Sequence, residues 1–151
     1  MLDDIDRRLL RHLMADPSLA TSALAVRANV SGAVATRRLE RLRSSGALKG
    51  TRAVIDWAAL GWAVEVSLRF TLDKTAPTAF DDFLAAARQV PEVIEIQTFL
   101  GRVDVRLAII ARDMAHYQQI YRTKILVLPH IADIEALMEV ARIKSAGPLP
   151  I

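Results

Sequence analysis

Three residues, Asn29-Val30-Ser31, separate two short helical patterns near the start of the chain, and that spacing allows few arrangements. Upstream, a helix over about Thr21–Ala28 turns Leu24, Ala25 and Ala28 inward. Asn29 tolerates the left-handed backbone of a tight turn. Downstream, Ser31 caps a second helix whose apolar spine, Ala35, Leu39 and Leu42, follows the i, i+4, i+7 rule. Gly46 is placed to close that helix in a left-handed cap. A helix from about Asp3 to Ala15 precedes the pair, with Ile5, Leu9 and Leu13 as its stripe and Asp3, Asp4 and Asp6 favouring its positive end. Asp16-Pro17 breaks it. The extended pieces Ala47–Lys49 and Ala53–Ile55 are expected to pair as a wing. The N-terminal third therefore reads as a winged helix-turn-helix.

Charge supports that reading. Residues 1–61 hold ten Lys/Arg against six Asp/Glu, a balance of +4, whereas residues 62–151 hold ten against eleven, a balance of −1. Seven of the basic residues fall between Arg27 and Arg52, where Glu40 is the only acid. A basic helix with small residues at its start can enter a DNA major groove. Backbone amides at the Ser31 end, with Arg38, Arg43, Lys49 and Arg52, are expected to hold phosphates. Gly32, Ala33, Thr36, Arg37 and Arg41 are the candidates to reach base edges. The expected partner is double-stranded DNA.

At Trp57–Trp62 the pattern changes. Trp57-Ala58-Ala59-Leu60-Gly61 reads as one helical turn and a hinge, with the tryptophans as packing anchors. Val64, Val66, Leu68, Phe70 and Leu72 then alternate with polar residues, the period of a half-buried strand. Pro77 opens a helix to about Val90 with Phe80, Phe83, Leu84 and Ala87 as its stripe. Strands at Val93–Leu100 and Val105–Ala111 flank the turn Gly101-Arg102-Val103-Asp104. A helix capped by Asp113 follows, Pro129 stops it, and Ile131–Val140 forms the last strand. The order is βαββαβ, the ferredoxin-like arrangement, with both helices on one sheet face. The expected fold is α+β in two domains: a DNA-binding domain over 1–56, a linker over 57–62, and an oligomerisation and effector domain over 63–151.

Several chemistries are excluded. Cysteine is absent, which removes disulfides, thiolate metal sites and a cysteine nucleophile. His12, His116 and His130 are never at i, i+4, so no metal is expected, and no nucleophile elbow, P-loop or dinucleotide fingerprint is present. No cofactor is expected. No apolar run reaches the ~18 residues of a membrane span, and the acidic start is unlike a signal peptide, so the expected compartment is the cytoplasm. With 52% of residues hydrophobic, the sheet face opposite the helices is expected to be covered by a second copy. Whether Val64, Val66 and Leu68 or their alternates meet that copy is left open.

Leu2-Asp3-x-x-Asp6, Leu24-Ala25, Ser31, Arg38-Leu39-x-x-Leu42, Gly46, Gly50, Leu60-Gly61, Gly101, Asp104 and Leu128-Pro129 together resemble the Lrp/AsnC family of transcription regulators over nearly the whole chain. The resemblance implies a dimer that can assemble into octamers, and small molecules, commonly amino acids, bound between the C-terminal domains. Two departures stand out. The family turn is usually acidic and aromatic, and its last strand often carries threonines where this chain has Ile134 and Ala136. The expected effector site is Gly101, Arg102, Val103 and Asp104 with Ile134 and Ala136. Asp104 would take an ammonium, Arg102 or the turn amides a carboxylate, and the apolar pair would favour an apolar side chain. Some haem-biosynthesis decarboxylases resemble the same family, so a sirohaem-type decarboxylase is one alternative. An architectural DNA-binding protein without an effector is another. Concentration of charge on the basic helix favours a regulator that is not an enzyme.

Overall fold

The computed structural model describes residues 2–140, 143 and 150, and divides into two compact units, one through Val54 and one from Ile55. The expected outer limits at residues 1 and 151 lie outside the described residues.

Among the described residues the first unit holds three helices: α1 (Asp4–Ala15), α2 (Thr21–Arg27) and α3 (Gly32–Ser44). Asp3 caps α1 in a reciprocal box with Asp6: each carboxylate accepts the other residue's backbone N–H, at 3.0 and 3.1 Å. Asn29 takes the left-handed conformation, φ 53°, and the Val30 N–H bonds back to the Ala25 carbonyl at 3.0 Å. The turn then delivers Ser31, whose Oγ accepts the Val34 N–H at 3.3 Å. Leu9, Leu24, Ala25, Ala28, Ala35 and Leu39 form the common core. Gly46 closes α3 at φ 73°.

The wing differs from expectation: residues 47–56 form no strand. Leu48 is drawn back onto the helical core, and its N–H bonds the Leu42 carbonyl at 2.9 Å. Gly50, at φ 144°, then breaks the extended path. Neither three-residue piece is long enough to offset that anchoring with a ladder of its own.

In the second unit a short 3₁₀ turn, Ala58–Leu60, ends at left-handed Gly61 and leads into β1 (Val64–Leu72). Next come α4 (Ala79–Ala87), β2 (Val93–Thr98), β3 (Val105–Ala111), α5 (Met114–Ile120) with a π turn over Tyr121–Ile125, and β4 (Ile131–Met138). The antiparallel sheet runs β2-β3-β1-β4, the ferredoxin-like order. Val66, Leu68, Phe70 and Leu72 pack beneath Phe83, Ala87, Ile120 and Ile125. Phe70 meets Phe83 with ring centroids 4.9 Å apart.

Which strand face points away from the helices is thereby settled: Glu65, Ser67, Arg69 and Thr71 do, not Val64, Val66 and Leu68. That open face is polar. Arg69 lies 3.6 Å from Glu135, and Arg106 donates to Ser67 at 2.7 Å and to Gln97 at 2.8 Å. Element boundaries also shift. β2 ends at Thr98 and β4 at Met138, and α4 starts after Thr78 with Ala79, Phe83 and Ala87 inward. Phe80, in the first turn of α4, is exposed.

Candidate nucleic-acid interface and effector cleft

Helix α3 presents Gly32, Ala33, Thr36 and Arg37 exposed along one side, opposite buried Ala35, Leu39 and Leu42. No acid occupies its first turn, and a Cβ built on Gly32 meets nothing within 4 Å. The Ser31 hydroxyl takes one of the helix-start amides; the amides of Gly32 and Ala33 point from the positive end, where a phosphate is favoured. Arg43, Lys49 and Arg52 are exposed beside this face.

Arg38 and Arg41 are placed differently from the rest. Arg38 is mostly buried; its Nη1 donates to Asp3 and lies 3.5 Å from Asp6 Oδ1. Arg41, half exposed, donates Nη2 to Asp6, whose carboxylate is wholly buried. The pKa of Asp3 is lowered, chiefly by the Asp6 N–H; burial opposes this, and the hydrogen bond and charge of Arg38 add to the lowering. The helix-start acids therefore do more than complement a dipole. Matching spacings carried the signal: Asp3/Asp6 and Arg38/Arg41 are each i, i+3 pairs, one on each of two helices.

In the second unit a cleft of about 460 Å³ opens between the 99–104 loop and β4, lined by Arg69, Thr71, Arg102, Val103, Asp133, Ile134 and Glu135. Thr71 Oγ1 donates to the Arg102 carbonyl at 3.0 Å, fixing the loop to β1. Gly101 sits at φ 156° at the loop tip. An adjoining hollow of about 200 Å³ is shaped by Arg69, Phe99, Val103 and Arg106.

Two of the expected effector contacts, Asp104 and Ala136, do not line this cleft. Asp104 turns inward: it is 4% exposed, its Oδ2 accepts the Leu72 N–H at 2.9 Å, and its Oδ1 meets Lys74 Nζ at 2.6 Å. Burial raises its pKa, but those two donors outweigh burial and leave it lowered. Both of its oxygens already hold a donor, and the residue does not line the cleft. Ala136 pairs opposite Leu68 and Ile134 opposite Phe70, so both side chains belong to the helix-covered face, and Ile134 packs on the core while bordering the cleft. The cleft is charged rather than greasy. Asp133 and Glu135, which the alternation of β4 turns toward it, were the residues the sequence reading missed.

The tryptophans act as packing surfaces. Trp62 packs at a tilt against His116, ring centroids 5.9 Å apart, with the Arg112 guanidinium 6.0 Å over its ring, and Trp57 shares a cavity of about 360 Å³ with it. Among the described residues no group of three or more His, Cys, Asp or Glu could hold a metal, and no helix is long and apolar enough to cross a membrane.

Residues 2–43 match the AsnC-type helix-turn-helix domain, and residues 65–149 match the Lrp/AsnC ligand binding domain. The proline dehydrogenase transcriptional activator of Rhodobacter capsulatus is 30% identical over 87% of this chain and 86% of its own. The DNA-binding transcriptional activator DecR of Escherichia coli is 28% identical over 100% of this chain and 99% of its own. Among solved structures, a regulator from Neisseria meningitidis in complex with L-Met aligns at TM-score 0.89 and 23% identity, covering 99% of this chain and 97% of that one. An AsnC family transcriptional regulator from Agrobacterium tumefaciens aligns at 0.86 and 26%, covering the same shares.

Proposed function

The chain belongs to the Lrp/AsnC family of transcription regulators, and from that premise we propose how its own residues carry the work. It is a DNA-binding transcriptional regulator with a domain for a small-molecule effector. α3 enters the major groove, with Gly32, Ala33, Thr36 and Arg37 against base edges and Arg43, Lys49, Arg52 and the α3 amides on phosphates. The observation that carries this is the exposed, acid-free start of α3 beside three exposed cations. Footprinting across the protein's own promoter region tests it, with a bounded protected site expected. Protection indifferent to sequence would overturn it.

The effector reading rests on the charged cleft. Arg102, which no acid pairs among the described residues, faces Asp133 and Glu135 across a space of about 460 Å³. A free amino acid is a zwitterion, and this pairing offers a cation for its carboxylate and an acid for its ammonium. The Neisseria meningitidis relative in fold holds L-Met, which fits the same class of ligand. A thermal-shift screen of the amino acids decides it, since binding stabilises the native state by mass action; no shift with any of them sinks this reading.

Self-association completes the picture. β2 and β4 are bare sheet edges, and Ile94 and Met138 on them are exposed, as are Phe99, Leu100 and Val140 nearby. A dimer, with octamers as the family's larger form, would cover them. Sedimentation at micromolar concentration checks it, and a clean monomer counts against it. We assign the chain no catalytic role and place it with DNA in the cytoplasm; incubation with sirohaem should give no product.

A further inference from the structure

We infer that Asp6 is a positioning residue of the DNA interface: its buried carboxylate ties α1 to α3 through Arg38 and Arg41 and withdraws both arginines from phosphate contact. This rests on α3 being the reading helix, as proposed above.

Three observations converge. First, Asp6 is wholly buried, and its Oδ2 accepts from both the Asp3 N–H and Arg41 while Oδ1 faces Arg38 at 3.5 Å. The groups around it, Asp3, Arg38 and Arg41, leave two acids against two guanidinium cations, so the cluster adds no net charge toward DNA. Second, the helical rotation of about 100° per residue puts Arg38 on the flank beside the buried spine and Arg41 nearer the exposed face, where it stays half exposed although its Nη2 is taken by Asp6, whereas Arg37 sits on the exposed face itself. Third, the cluster is a poor stabilising device. Asp6 Oδ1 and Arg38 Nε are buried without a hydrogen bond, and an under-satisfied buried ion pair contributes little to net stability. What it does provide is orientation: both guanidinium groups are held on α1 acids, and α3 is tied to α1 at two points. Base reading is then left to Gly32, Ala33, Thr36 and Arg37, whose pose is set from behind.

The test compares the full chain with Asp6→Asn, Arg38→Gln, Arg41→Gln and Arg37→Gln. Each is titrated over a salt series against a duplex selected from a randomised pool and against mixed-sequence DNA, with thermal melts alongside. Each lost phosphate contact flattens the log K against log salt slope by about 0.9. Arg38→Gln and Arg41→Gln are expected to keep the wild-type slope while lowering the ratio of selected to mixed affinity. Asp6→Asn frees Arg41 while Arg38 keeps Asp3, so its slope should steepen by about 0.9 and the ratio fall about tenfold or more. A merely structural Asp6 would weaken both DNAs alike without steepening. A slope drop of about 0.9 in either Arg38→Gln or Arg41→Gln overturns the inference, as does an unchanged slope and ratio in Asp6→Asn. Should Asp6→Asn fail to fold, the two arginine variants decide alone. Loss of neither slope nor selectivity in Arg37→Gln would remove α3 as the reader, a failure of the interface itself.

Discussion

Lys74 Nζ lies 2.6 Å from Asp104 Oδ1, joining the loop after β1 to the end of the 99–104 loop beneath the cleft. The same carboxylate accepts the Leu72 N–H, and the Asp104 N–H bonds the Phe70 carbonyl at 2.9 Å, so one residue fastens two segments at three points. Asp104→Asn should therefore cost about 1–3 kcal/mol of stability at neutral pH, read as a lower melting temperature.

The sign of its pH dependence follows. Burial opposes ionisation of Asp104, but the Leu72 N–H and Lys74 outweigh it and lower the pKa from the ordinary 3.8. A lowered folded-state value stabilises the protein above the unfolded value, and that contribution is lost as pH falls through the folded value. The stability gap between wild type and Asp104→Asn should be full above about pH 4 and close below it. A gap that widens on acidification would contradict this.

Gly46→Ala should destabilise the first unit by roughly 1 kcal/mol, because φ is 73° there and no atom lies within 4 Å to contribute strain or packing. Thermal melts measure it. A much larger loss would place a contact where the structure has open space.

On the DNA side, Lys49→Ala should weaken every sequence alike and flatten the salt slope by about 0.9. Arg37→Ala should cost about 1–3 kcal/mol on the selected site and relax the preference for one base there. Binding measured on matched and mismatched duplexes separates the two.

For the effector, Arg102→Ala and Asp133→Asn should each abolish the amino-acid-induced thermal shift and leave ligand-free DNA affinity intact. Asp104→Asn should lower the melting temperature and still respond to ligand. If Asp104→Asn alone removes the response, the ligand ammonium sits where Lys74 does now.

The helices, the turn at Asn29, the cap at Gly46 and both strands β1 and β3 were legible because local signals agreed with the tertiary answer. Ser31, the Ala35–Leu39–Leu42 spine and the alternation from Val64 to Leu72 needed nothing from elsewhere in the chain. What local pattern could not supply was partnership across distance. Asp104 looked like a turn former open to ligand, and only the folded chain brings Lys74 and Leu72 to it. Arg38 and Arg41 looked like free cations until α1 was laid against α3. On β4 a one-residue choice of face took Ala136 out of the cleft, left Ile134 only at its border, and brought Asp133 and Glu135 in.

The left-handed residues that bracket α3, Asn29 and Gly46, also limit how much text one copy can read. A 13-residue helix spans about 20 Å, and only its first turns meet base edges, so one α3 reads about four base pairs. At two bits per fully specified pair that is about 8 bits. Singling out one locus among even 10⁶ competing sites takes about 20 bits. A solitary reading head would find thousands of equally good addresses, and since neither end of α3 can be extended, the missing information has to come from a second copy or from the deformability of the DNA itself.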